Sequence, residues 1–123
     1  MPLRATLFEP DLEDLARRFF AALVERDARV LYDLLDDLPS FENFDGPVSV
    51  DGRAALARAL VSRAADVRYE LQEVRTAPAE ARCRFLLLVE GVPGDILLEA
   101  HFRFDGARIR HIRVGQPPPA EAN

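Results

Sequence analysis

Residues Ile96 to Val114 read ILLEAHFRFDGARIRHIRV, and this stretch decides the fold. Apolar and polar residues alternate on both sides of Asp105-Gly106, which predicts two long strands joined by a two-residue turn at that dipeptide. Asp-Gly between alternating apolar residues is a strong hairpin signal, because a type I′ turn needs positive φ at both central positions. Side chains on a strand point alternately to opposite faces. Ile96, Leu98, Ala100, Phe102 and Phe104 therefore share one face, and Leu97, Glu99, His101 and Arg103 share the other. On the second strand Ile109 falls in step with His111 and Arg113, whereas Ile112 and Val114 have the opposite parity. A bulge near Arg110 reconciles them: one extra residue lets Ile109 and Ile112 both face inward, and it curves the sheet. A sheet with one apolar face needs a cover.

That cover is the helical first half of the chain. Pro10 suits the first turn of a helix, and Asp11, Glu13 and Asp14 complement the helix's positive end. Leu12, Leu15, Ala16, Phe19 and Leu23, flanked by Phe20 and Val24, recur at helical spacing. They predict an amphipathic helix from about Pro10 to Arg26, with Arg17, Arg18, Glu25 and Arg26 in water. Asp27 caps a short second helix through Tyr32 to Asp36, with Val30, Leu31, Leu34 and Leu35 inward. Asp36-Asp37-Leu38-Pro39 ends it, since the residue before proline disfavours helix. Residues 40–50, with Phe41, Phe44, Gly46 and Pro47, read as a loop with one or two short strands. Asp51 caps a third helix, Arg53 to about Ala65, whose Leu56, Ala59, Leu60 and Ala64 face the core.

The rest is strand. Val67, Tyr69 and Leu71 alternate with Arg68, Glu70 and Gln72. After a turn near Ala77-Pro78, Cys83, Phe85, Leu87 and Val89 alternate with Arg82, Arg84, Leu86 and Leu88. Pro93-Gly94 fits the central pair of a type II turn. Helices followed by an antiparallel meander make an α+β pattern. The expected architecture is three helices on a curved, mainly antiparallel sheet of four long strands plus short additions. The expected organisation is one domain over residues 1–123. Its loose ends fall at about 1–8, where Leu7 and Phe8 can pack over a sheet edge, and at 117–123.

Composition narrows the function classes. A formal charge of −5 argues against a nucleic-acid partner held through phosphates. The lone Cys83 has no intramolecular disulfide partner, and no Cys/His cluster has zinc-ligand spacing. There is no Gly-rich phosphate loop and no HExxH, so neither a metal nor a cofactor is expected. The first ten residues, MPLRATLFEP, lack the apolar run of a secretory signal, and no segment approaches membrane-spanning length. A cytoplasmic protein without a membrane partner is the expectation.

The order of elements resembles the nuclear transport factor 2-like superfamily, the cone-shaped fold shared by SnoaL-like cyclases and ketosteroid isomerases. The resemblance covers roughly Leu12 to Gln116. It is carried by ARRFFAALVERD at 16–27, with Asp27 starting the second helix, by the Val50-Asp51-Gly52-Arg53 step, and by HFRFDGARIRHIRV at 101–114. It implies a curved sheet whose concave face, with the helices, encloses one apolar pocket, the usual form of a small-molecule site. The lining so implied is Phe19 and Leu23 from the first helix, Leu35, Phe41 and Asn43 from the segment after the second, and Leu60 from the third. The strands add Tyr69, Phe85, Leu98, Ala100, Phe102 and Ile112, and Gln116 follows the last of them. Any of these residues can equally serve as plain core.

A ketosteroid isomerase places a tyrosine on the first helix, an aspartate base after the second, and a neutral aspartic acid on the penultimate strand. Aligned without gaps, this chain has Phe19, Asn43 and Ala100 at those places. Phenylalanine has no hydroxyl to offer an oxyanion, a neutral amide cannot abstract a proton, and alanine can do neither. The catalytic candidates that remain are Glu42 and Asp45, flanking Asn43 at the pocket mouth, and Tyr69, whose hydroxyl either enters the pocket or tips a core ring into water. Asn43 can hydrogen-bond a ligand carbonyl or hold a turn. His101 falls by parity on the convex face with Glu99 and Arg103, as a surface or interface residue.

Three readings follow. The first is a pocket for a small apolar molecule. The second is a SnoaL-like acid–base enzyme using Asp45 or Glu42. The third is a dimerising domain with a filled pocket. The convex face joins Leu86, Leu88 and Leu97 into an apolar strip among Arg82, Arg84, Glu99, His101, Arg103 and Arg113, which marks a contact surface. In many relatives this face pairs in a two-fold dimer, and a homodimer is expected here.

Overall fold

The computed structural model describes residues 10–62 and 66–117. The arm with Leu7 and Phe8, Ala64 and the tail beyond Pro117 lie outside the described residues. Three helices, α1 (Leu12–Glu25), α2 (Ala28–Leu34) and α3 (Gly52–Val61), pack on a six-stranded sheet. Its strands are β1 (Leu35–Asn43), β2 (Gly46–Val48), β3 (Val67–Ala77), β4 (Glu80–Val89), β5 (Ile96–Asp105) and β6 (Arg108–Gly115), in spatial order β2-β1-β6-β5-β4-β3. All neighbouring pairs are antiparallel except β1 with β6.

Local chemistry explains the helices. Asp11 caps α1, its side chain accepting from the Asp14 N–H at 3.1 Å, so Pro10 stands just outside the helix rather than in its first turn. The helix ends where Arg26 turns left-handed (φ 57°) and the Asp27 N–H reaches back to the Ala22 carbonyl at 2.8 Å, a Schellman-type closure. Asp27 then caps α2 by accepting from the Val30 N–H at 3.2 Å. Arg53, at the head of α3, donates to the Tyr32 carbonyl at 2.8 and 3.1 Å, pairs with Asp37 at 3.1 Å and lies 4.0 Å over the Tyr32 ring. One guanidinium thus holds the end of α2, the start of β1 and α3 together. Asp51 stands at the N-cap of α3 without a capping side-chain hydrogen bond. On that helix Leu56 and Ala57 are buried, while Ala59 faces water.

The sheet corrects the sequence reading in two places. The segment expected to be mainly loop is a nine-residue strand, β1, making five long strands rather than four. Alternation is weak in LDDLPSFEN, and Pro39 argued against a strand. It is tolerated because the β1–β6 register breaks between Leu35↔Ile109 and Ser40↔His111, where proline's missing N–H has no ladder partner to lose. The closing turn is also displaced by one residue. Asp105 pairs with Arg108, so Gly106-Ala107 is the central pair. Positive φ is needed only at Gly106 (64°), which matches type II′ rather than I′.

The bulge expected near Arg110 is present, between Arg103↔His111 and Phe104↔Ile109. A second extra residue, Gln72, lies opposite β4 between Leu71↔Phe85 and Glu73↔Arg84, and it turns Val74 inward after Leu71. Both bulges bend the sheet around α1. Leu98, Ala100, Phe102, Phe104, Ile109 and Ile112 are buried beneath the helices. Ile96, at the end of the same face, is half exposed at 51%.

Candidate functional site

Between α1, α3 and the concave face lies a cavity of about 180 Å³. Helix α1 brings Phe19, Phe20 and Leu23, and α3 brings Leu60. The remaining wall is strand residues alternating inward: Phe41 and Asn43 on β1, Tyr69 on β3, Phe85 and Leu87 on β4, Leu98, Ala100 and Phe102 on β5, Ile112 and Val114 on β6. The rings interlock: Phe19 and Phe102 are 4.8 Å apart between centroids, Phe20 and Phe85 5.1 Å, and Tyr69 meets Phe85 edge-on at 5.8 Å. Among the described residues, only Asn43 and Tyr69 bring polar side-chain atoms to this lining.

Two residues expected in the lining are elsewhere. Leu35 is fully buried at the start of β1, paired with Ile109 and outside the cavity wall. Gln116 lies past the end of β6 and is exposed. Phe20, Leu87 and Val114 line the cavity without having been singled out for it. Alternation carried the signal for the last two, since Leu87 follows Phe85 by two residues and Val114 follows Ile112 by two.

The catalytic candidates disperse. The Asn43 Oδ1 accepts from the Asp45 N–H at 3.0 Å, holding the turn into β2, so the amide N–H groups are what Asn43 has left to offer the cavity. Asp45 is exposed and does not line it. Glu42 points to the opposite face of β1, where its carboxylate is 3.5 Å from His111 Nε2. His111 Nδ1 in turn lies 2.5 Å from Ser40 Oγ. His101 sits on the outer face but is buried, at 9% exposure, because its Nε2 engages Glu80 at 2.6 Å. That hydrogen bond holds the Glu80 carboxyl below its usual range against partial desolvation, helped by the charges of His101, Arg103 and Arg82. Cys83 is buried in the core, and burial pushes its thiol up to about 12, so it is not a nucleophile at neutral pH. Among the described residues no cluster of His, Cys, Asp and Glu is arranged to hold a metal ion. No described helix is long and apolar enough to cross a membrane.

A nuclear transport factor 2-like protein of unknown function from Cytophaga hutchinsonii superposes with a TM-score of 0.73 at 13% identity, over 94% of this chain and 97% of that one. A hypothetical protein of ketosteroid isomerase-like fold from Catenulispora acidiphila, in complex with trimethylamine, gives 0.68 at 13% identity over 82% and 83%. This chain has the nuclear transport factor 2-like fold. An epoxide hydrolase from M. tuberculosis, described as LEH-like, shares that fold with a TM-score of 0.65 at 20% identity over 82% and 78% of the two chains. No family model matches the sequence, and no curated protein matches it. Phe19, Asn43 and Ala100 all line the cavity.

Proposed function

We propose that this protein binds a small, mainly apolar molecule in the cavity and does not catalyse proton transfer of the ketosteroid isomerase kind. The observation that carries this reading is the lining itself. Hydrocarbon and aromatic side chains surround a space whose only polar side-chain groups, among the described residues, are the Asn43 amide and the Tyr69 hydroxyl. Among the described residues no carboxylate or imidazole lines the space, so none of those lining it has the basicity that abstraction of a carbon-bound proton requires.

Volume limits the ligand. An apolar cavity of about 150 Å³ suffices for benzene, whereas sites for drug-sized molecules start near 300 Å³. A cavity of about 180 Å³ therefore suits one ring or a short branched chain and is too small for a steroid tetracycle. The N–H donors of Asn43 favour a ligand with one acceptor oxygen, such as a cyclic ketone. The trimethylamine complex of the Catenulispora acidiphila protein supports a ligand of this scale.

The convex face supports pairing of two copies. Leu86 and Leu97 are directly opposed on β4 and β5, Leu88 continues the strip, and Leu97 is 42% exposed. The test of the pocket reading is a titration with cyclohexanone, followed by calorimetry and by thermal melting. A saturable rise in Tm is expected, reaching about 2.7 kcal/mol of stabilisation at a hundredfold excess over Kd. Absence of binding by cyclohexanone and by toluene, or isomerisation of a steroid enone by the unmodified protein, overturns the reading.

A further inference from the structure

We infer that the outer face of the sheet carries a second site, built to hold a small doubly charged oxyanion, either a phosphate ester or a dicarboxylate. A hollow of about 370 Å³ lies there, bounded by Ser40, His101, Arg103, Arg110, His111 and Arg113. It is separated from the apolar cavity by the thickness of the sheet and shares no residue with it.

Pairing brings these side chains together. Ser40 of β1 stands opposite His111 of β6, and His111 stands opposite Arg103 of β5, while Arg113 stands opposite His101. Arg110 joins them through the bulge. With Ile109 and Ile112 both inward, Arg110 and His111 are the two successive residues that face outward together. The β1 side of β6 is irregular at the same place, so Arg110 lacks a register partner on either neighbour. Bulges re-aim side chains in this way and are over-represented beside binding sites.

The charge is arranged to meet an anion. Two carboxylates flank the hollow: Glu80, opposite Arg103 in the β4–β5 register and 2.6 Å from His101, and Glu42, opposite Arg113 in the β1–β6 register and 3.5 Å from His111. Among the described residues no carboxylate comes within ion-pairing distance of Arg103, Arg110 or Arg113. Three exposed guanidinium groups thus converge on one face of a chain whose net charge is −5. All sixteen of its basic residues are arginine rather than lysine. The planar guanidinium fork matches carboxylate and phosphate oxygens two at a time, which suits a dianion better than a chloride. The Ser40 hydroxyl stands at one wall, 2.5 Å from His111 Nδ1, and the other ring nitrogen of His111 faces Glu42 at 3.5 Å.

The test is calorimetric titration at constant ionic strength with inorganic phosphate and, in a parallel arm, with succinate. The parent protein is expected to bind at least one of them at millimolar concentration or below. Binding of phosphate alone assigns the site to phosphate esters, and binding of succinate alone assigns it to dicarboxylates. Binding of both supports a dianion site that reads charge and spacing. The double variant Arg110→Gln/Arg113→Gln changes only exposed side chains, and it should lose affinity by at least about tenfold. Its cyclohexanone binding should be unchanged, which separates this site from the cavity. Ser40→Ala, a milder change, should weaken binding less. The double variant Arg29→Gln/Arg68→Gln, on α2 and β3, removes the same two charges from exposed positions outside the hollow and controls for net charge. The inference is overturned if neither anion binds, or if Arg29→Gln/Arg68→Gln weakens binding as much as Arg110→Gln/Arg113→Gln does.

Discussion

Replacing Ala100 by leucine tests the cavity and the function together. Ala100 is 2% exposed, lies between Cys83 and Val114 in the sheet, and forms part of the cavity wall. Leucine adds three carbons, which at about 0.8 kcal/mol each is an upper bound near 2.4 kcal/mol if all enter space that is otherwise empty. Fixing the longer side chain costs about 0.5–1 kcal/mol of rotamer entropy. The expected net effect of Ala100→Leu is a stabilisation of about 1.5 kcal/mol, read from urea melts whose m-value is unchanged. For a chain of this size it corresponds to a rise in Tm of about 6 °C. The same variant should bind cyclohexanone at least about tenfold more weakly, because the added carbons occupy the ligand's volume. A closed, well-packed core gives the opposite sign, since overpacking costs about 1–3 kcal/mol. Destabilisation of that size would refute the argument that the cone holds usable space.

Restoring the isomerase pattern with Phe19→Tyr, Asn43→Asp and Ala100→Asp should introduce measurable proton transfer on a small cyclic enone, where the parent shows none. An apolar site keeps the new carboxyl at 100 neutral, as in the isomerases. Asp at 43 can still accept from the Asp45 N–H, so the turn should survive. Leu88→Glu should convert a dimer to monomers without unfolding, as judged by light scattering and circular dichroism; a monomeric parent at high micromolar concentration would end the pairing proposal. Glu80 predicts an acid dependence. Its folded carboxyl is held below the ordinary value of 4.5, so its stabilising contribution is complete above that pH and is lost as pH falls through the lower folded value. Parent and Glu80→Gln melting temperatures should therefore differ at neutral pH and converge on acidification.

How much of this protein is legible in its sequence depends on the range of the interactions involved. Periodicity and capping are local, so the three helices, the cap at Asp27, and the inward set Leu98, Ala100, Phe102 and Phe104 follow from neighbouring residues alone. The bulge at Arg110 is legible too, because the parity conflict between Ile109 and Ile112 has one economical solution. Strand β1 is not. It lacks clear alternation, and it exists because β6, some 71 residues later at the Ser40–His111 contact, offers it a parallel partner. The same pairing turned Glu42 away from the cavity and toward His111, which no local pattern announces. Parity placed His101 outward but said nothing of Glu80, whose carboxylate buries it. The void in the cone, and the gathering of Ser40, His111 and three arginines from three strands, are likewise products of tertiary structure. Both depend on how far the bulged sheet curves and which strands it sets side by side.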